Sequence, residues 1–285
     1  MIPSKPTIPA DGSLRPRIIT ILLGAPIFFA ALWMGGRLWL ATVLLVAAAL
    51  GWELERLTTE RTGAGSSAGS SGLPNARGGW EGAILAVLAS YVAGRFGLTG
   101  AGAVAVGITV YSGIRELFFF HQRPLRRVLA LTWSTLYVGL LWGSLILLRE
   151  VGGFYWCLWA VGITWSSDIG AFLVGRRLGR HKIAPQLSPG KSWEGFVAGL
   201  VSGGAVALVL GMPLGLPPPV RLGLGLLTAF AAALGDFWES ALKREAGVKD
   251  TSLILPGHGG FLDRMDSLLV AGAFTLLIAR AYGAL

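Results

Sequence analysis

The sequence predicts an all-α, polytopic integral membrane protein with about nine transmembrane helices, and three observations carry that expectation. Of the 285 residues, 53% are hydrophobic and only 14% are charged, where a soluble domain carries about a quarter charged residues. Apolar runs recur along the chain at close to the roughly 20 residues that a spanning helix needs. The basic residues fall on alternate connections between those runs, as they do in membrane proteins. A disordered chain is excluded, because disorder requires low hydrophobicity.

The apolar runs place helices at about 17–35, 37–53, 80–95, 97–114, 129–148, 153–175, 194–212, 220–243 and 266–284. Lys5, Arg15 and Arg17 precede the first run, as in a cleaved signal peptide. The many spans that follow favour an anchor instead. The stretch from Thr62 to Gly79 is rich in Gly and Ser, cannot build a core, and is expected to be a flexible cytoplasmic linker without chemistry. Residues 1–150 are read as N-terminal spans carrying that linker, and residues 151–285 as a catalytic membrane region. Trp33, Trp39, Trp80 and Trp142 lie near expected membrane surfaces and suit aromatic belts. The single cysteine, Cys157, excludes an intramolecular disulfide and every Cys-based zinc cluster.

The formal charge is +9, from 24 Lys and Arg against 15 Asp and Glu. In a soluble protein this would suggest nucleic acid; in a membrane protein cytoplasmic loops collect the excess. No nucleic-acid partner is therefore expected. With the N-terminus inside, only Arg37, Arg95, Arg149, Arg221 and Arg280 fall outside, leaving 19 of the 24 on the cytoplasmic face. The expected placement is the cytoplasmic membrane, N-terminus inside and C-terminus outside.

Ionisable groups within or beside spans are costly and point to function. They gather in two regions on the cytoplasmic side. In the first, Trp165–Gly195, Asp168 sits in an apolar helix and a basic loop follows with Arg176, Arg177, Arg180, His181 and Lys182. Ser188-Pro189-Gly190-Lys191-Ser192 comes next, a small-residue stretch suited to cradling phosphate with backbone N–H groups and an ammonium. It lacks the spacing of a P-loop. Glu194 then opens a helix, where it also suits the helix dipole. In the second region, Asp236, Glu239, Ser240 and Lys243 stand at spacings that share one helix face. Lys249 and Asp250 follow in a loop. Pro256 to Gly260, with His258, forms an irregular turn, and Asp263, Arg264 and Asp266 open the last helix.

Several carboxylates, few His and no Cys set suggest a hard cation held by oxygen, hence Mg2+. Carboxylates with Lys and Arg beside them suit phosphoryl or nucleotidyl transfer, in which metal and cations stabilise charge on phosphate oxygens. A site at the membrane surface lets a soluble nucleotide meet a lipid headgroup. A transporter would also explain many spans and an intramembrane Asp168, but its polar groups would gather at mid-membrane.

These residues resemble the phosphatidate cytidylyltransferase family. That family's C-terminal pattern runs S-x-x-K-R, four residues, K-D, an apolar stretch, P-x-H-G-G and D-R-x-D, and residues Ser240 to Asp266 fill each fixed position. S-D-x-G-A-F at Ser167–Phe172 and S-P-x-K-S-x-E-G at Ser188–Gly195 agree in order, although many members carry a second Lys where this chain has Gly190. The resemblance is specific over about Trp165 to Ser267 and rests on hydropathy elsewhere. It implies that CTP and phosphatidic acid give CDP-diacylglycerol and pyrophosphate, with Mg2+ required, in a homodimer with a cytoplasm-facing cavity. A related enzyme using CTP on another lipid is the nearest alternative. The CDP-alcohol phosphatidyltransferases are disfavoured, because no D-G-x-x-A-R run occurs.

Carried onto this chain, the resemblance makes Asp236 and Asp263 metal ligands, admits a monovalent cation such as K+ at that centre, and places Lys191 near phosphate. Lys191, Lys243, Arg244 and Lys249 are expected to neutralise developing charge. Asp250 is a further catalytic candidate, and His258 is expected to be a hydrogen-bond donor or structural post rather than a base. Asp168, Ser188, Ser192, Glu239, Ser240, Gly259, Gly260, Arg264 and Asp266 are the expected substrate contacts.

Overall fold

The computed structural model describes residues 14–59, 79–119, 124–252, 254–255 and 259–285, with side chains of the first helix from Leu22 onward. Most of the Gly/Ser stretch, and His258 with Pro256 and Gly257, lie outside the described residues. Among those described, the chain forms seven α-helices and one β-hairpin. They are α1 Leu14–Met34, α2 Gly36–Thr59, α3 Trp80–Phe118, α4 Pro124–Leu178, β1 Lys182–Ala184, β2 Ser188–Ser192, α5 Trp193–Leu210, α6 Pro218–Ala246 and α7 Leu262–Ala281. Five of them, α2 to α6, are long and apolar enough to cross a membrane. The chain is thus an all-α membrane protein apart from the hairpin.

Nine separate helices were expected and seven continuous ones are found, because two expected pairs join through a single glycine. Gly97 (φ 58°, ψ −133°) interrupts α3 and Gly153 (φ 78°, ψ −167°) interrupts α4. Both conformations are open to glycine and costly for an L side chain. At each bend the chain turns back. Tyr111 Oη donates to Glu81 Oε1 at 2.9 Å, although the two are 30 residues apart; in a straight helix they would be about 45 Å apart. In α4, Arg149 beside the bend donates to Leu32 O at 2.9 Å. Trp133 before the bend and Asp168 after it both reach the opposite end, at Trp238 and Ser267.

The core lies where α2, α4 and α7 meet. Leu50 and Leu54 pack in the same apolar cluster as Val138, Leu145, Ile146, Leu262, Leu268 and Leu269. Trp39 and Trp142, expected in surface belts, are instead buried pins between α2 and α4. Trp39 Nε1 donates to Leu145 O at 3.2 Å and Trp142 Nε1 to Val43 O at 2.9 Å. An indole N–H removed from water needs an acceptor, and these carbonyls supply it. Trp33 and Trp80 are exposed, as a belt position requires. Large apolar side chains such as Leu45, Leu98, Val106, Leu117 and Val201 also face outward, which suits hydrocarbon as solvent.

The connections sort to two ends. The end of α2, both ends of α3 and α4, the β-hairpin, the end of α6 and the start of α7 share one end. The Gly97 and Gly153 bends and the α5–α6 turn share the other. Close approach of α5 to α4 gives the first end its shape: a Cβ on Gly199 would sit 3.0 Å from Ser167 O.

Candidate active site

The polar end encloses a cavity of about 670 Å3 between α4, the β-hairpin, α5, α6 and the start of α7. Lys191 enters it from β2. That strand pairs with β1 in antiparallel register, Lys182 opposite Ser192 and Ala184 opposite Ser188. The register shifts between those two pairs, so Pro189, Gly190 and Lys191 form an irregular stretch of the strand, and the Lys191 ammonium lies on the cavity wall. Lys191 Nζ lies 3.0 Å from Asp236 Oδ1, 3.5 Å from Ser240 Oγ and 3.9 Å from the centre of the Phe237 ring. Ser192 also lines the wall, but its hydroxyl caps α5 by accepting from Gly195 N–H at 3.2 Å. His181 Nδ1 and Glu194 Oε1, 2.6 Å apart, fasten the base of the hairpin.

The α6 face expected from spacing forms. Asp236, Glu239 and, from α7, Asp266 bring one carboxylate oxygen each within 4.8 Å of one another. Glu239 is 1% exposed and Asp266 is 8% exposed. Lys243 Nζ bridges Glu239 Oε2 at 2.6 Å and Asp263 Oδ1 at 2.7 Å. Glu239 Oε1 is buried without a hydrogen-bond partner. Such an atom is costly to leave bare, and a cation bound by the cluster would offset the charge of its carboxylate. These residues therefore fit a hard divalent ion.

Asp263 was expected to pair with Asp236 as a ligand, and it is occupied elsewhere. Its Oδ1 meets Lys243, while Oδ2 accepts from Gly260 N–H at 2.8 Å, Thr251 N–H at 3.0 Å and Thr251 Oγ1 at 3.1 Å. It still borders the cavity, as do Asp168 and Arg264. Ser267 Oγ donates to Asp168 Oδ1 at 3.5 Å, and Asp266 Oδ1 accepts from Ser267 N–H at 2.7 Å.

Other expected site residues stand outside the cavity wall. Arg244 Nε donates to Leu187 O at 3.1 Å, tying α6 to the hairpin turn. Lys249 and Asp250 are exposed in the following loop, Ser188 begins β2, and Lys243 lies behind the wall. Gly259 and Gly260 belong to the turn before α7. A Cβ on Gly260 would sit 2.8 Å from both Glu53 carboxylate oxygens.

Sequence reasoning missed Glu53, at the end of α2 and 0% exposed. Its Oε1 accepts from Ser252 Oγ at 2.6 Å and Phe261 N–H at 2.9 Å; its Oε2 accepts from Leu262 N–H at 2.7 Å and Thr251 Oγ1 at 3.2 Å. A carboxylate inside an apolar run was the available signal. Arg176 and Lys182, read only as loop charge, also line the cavity, with Phe172 and Phe237 as apolar wall.

The chain has relatives among known proteins. The chain is 40% identical over 149 residues to the phosphatidate cytidylyltransferase of Bacillus subtilis (strain 168), covering 50% of this chain and 55% of that protein. It is 42% identical over 145 residues to that of Brucella suis biovar 1 (strain 1330), covering 49% and 53%. It is 40% identical over 131 residues to that of Haemophilus influenzae (strain ATCC 51907 / DSM 11121 / KW20 / Rd), covering 43% and 44%. The chain thus spans about half the length of the curated relatives it matches. The profile of the cytidylyltransferase family reaches further, matching residues 15–282 from α1 to the end of α7. A match that takes in the hairpin lysine, the α6 carboxylate face and the helices that hold them makes this chain a member of the cytidylyltransferase family.

Proposed function

We propose that the chain transfers a cytidylyl group from CTP to phosphatidic acid, releasing pyrophosphate and forming CDP-diacylglycerol. One observation carries the reading: a cavity at the polar end of a lipid-facing bundle sets Lys191 against an acidic cluster whose buried Glu239 oxygen lacks a partner. The relatives named as phosphatidate cytidylyltransferases support the substrate pair.

Asp236, Glu239 and Asp266 would hold Mg2+, which would supply charge stabilisation on phosphate oxygens. Lys191, with Arg176, Lys182 and Arg264 on the wall, binds the nucleotide and lipid phosphates and brings them together. A phosphatidate oxygen attacks the α-phosphorus of CTP in line, and the bond to pyrophosphate breaks. The nucleophile is already anionic, so no side chain has to remove a proton. Asp263 and Lys243 hold the acidic face in place, and Phe172 and Phe237 form an apolar part of the cavity wall.

This reading includes nine crossings, counting both arms of α3 and of α4, with the polar end in the cytoplasm. K+ beside the divalent ion and assembly as a homodimer are carried over from the family resemblance. Purified chain in detergent, given CTP, phosphatidic acid and magnesium, is expected to release CDP-diacylglycerol and pyrophosphate in equal amounts. Intact CTP, or faster transfer to a polyprenol phosphate than to phosphatidic acid, would overturn the substrate assignment. Potassium titration of the rate and mass measurement of the detergent complex test the two carried-over features.

A further inference from the structure

Glu53 lies outside the α6–α7 acidic face, yet it accepts four hydrogen bonds from residues 251–262, against three that Asp263 accepts there. It comes from α2, about 200 residues away in the chain. Each of its oxygens accepts one backbone N–H of the Phe261–Leu262 pair and one hydroxyl of the Thr251–Ser252 pair. The two N–H groups are at the N-terminus of α7, where a carboxylate suits both the free donors and the helix dipole. Thr251 Oγ1 lies within reach of both Glu53 Oε2 and Asp263 Oδ2, so the two carboxylates share its one hydroxyl hydrogen and meet at the same loop residue. Asp266, one turn further along α7, is carried by the backbone so held.

We propose that Glu53 is a positioning residue for the cation site: it fixes the start of α7 so that Asp266 meets Asp236 and Glu239. The proposal rests on the cation-binding part of the function proposed for this cavity. Glutamine cannot substitute. Because both carboxylate oxygens face a backbone N–H, either orientation of the amide sets its NH2 against a donor, and one end of the grip must open.

The test uses the full chain purified in detergent, as wild type, Glu53→Gln and Ser252→Ala. Magnesium is titrated calorimetrically without nucleotide, and amide hydrogen exchange is followed across residues 250–265. Losing one buried hydrogen bond to a charged group corresponds to about a tenfold change in an equilibrium constant. Glu53→Gln is expected to weaken magnesium binding by about that factor and to speed exchange at Phe261 and Leu262. Ser252→Ala should move both in the same direction by about threefold. A purely structural Glu53 would lower the melting temperature and leave the magnesium affinity of the folded protein unchanged. Folded Glu53→Gln with wild-type magnesium affinity overturns the proposal. Should that variant not fold, unchanged affinity in Ser252→Ala does the same. Wild type that binds magnesium but makes no CDP-lipid refutes the proposed reaction and leaves Glu53 to be judged on binding alone.

Discussion

Lys243 and Lys191 are both lysines of one site, and their surroundings give them different work. Lys243 is wedged between two carboxylates whose side chains are 2% and 4% exposed. Lys243→Met would remove the cation from both, leaving Asp263 its Thr251 and Gly260 donors, and breaking a buried pair on one side costs about 3–5 kcal/mol. This variant is expected to melt well below wild type, which thermal unfolding in detergent reads directly. Lys191 faces the cavity beside Asp236, which is 40% exposed, so Lys191→Met should fold normally. Its loss should appear in turnover, as a rise in KM for CTP together with a fall in kcat. Asp236→Asn removes one of three clustered carboxylates; several kcal/mol of charge stabilisation at risk corresponds to ~100-fold or more in kcat. Near-normal turnover in folded Asp236→Asn would remove the ligand role. Spacing alone revealed Asp236, Glu239 and Lys243 on one face, because a helix makes i, i+3 and i+7 neighbours. Spacing could not reveal that Asp266 completes the group while Asp263 turns to Lys243, since that depends on how α7 is set against α6. Nor could it reach Glu53, whose partners lie in a distant loop.

Hairpin formation inside α3 and α4 is the device that lets seven helices fill the volume of more. Hydropathy marked breaks between 95 and 97 and between 148 and 153, close to Gly97 and Gly153, but a one-residue bend leaves no polar loop to read. The β-hairpin was not legible either. Ser188-Pro189-Gly190-Lys191-Ser192 has the composition of a turn, and only pairing with Lys182–Ala184 makes it a strand. Trp39 and Trp142 escaped for a related reason: hydropathy locates them near span ends, whereas their burial depends on carbonyls of the facing helix. The bend makes its own prediction. Gly153→Ala has open space for its methyl group but a φ of +78° and a ψ of −167°, so the cost is conformational, about 1–3 kcal/mol. Gly223→Ala, also with nothing near its Cβ but within the regular helix α6, should be neutral or slightly stabilising. Equal melting temperatures for the two variants would show that the α4 bend does not depend on left-handed backbone.

Across the whole molecule, the end that holds the cavity also holds most of the described basic side chains. Arg95, Arg149, Arg221 and Arg280 lie at the other end, with Arg95 paired to Glu150 at 2.7 Å and Arg221 donating to Leu208 O at 2.6 Å. Cytoplasmic surfaces retain Lys and Arg, so the proposed orientation, with the cavity inward and the end of α7 outward, is the one this asymmetry supports. A nucleotide made in the cytoplasm would then reach Lys191 without crossing the bilayer. The orientation can be read with a membrane-impermeant maleimide, because the native Cys157 is buried and offers little background. Arg177→Cys, at the exposed end of α4, should label only after cells are permeabilised. Ala284→Cys, beyond α7, should label in intact cells. The opposite pattern would place the cavity outside, away from any supply of CTP, and the proposed reaction would lose its substrate along with its orientation.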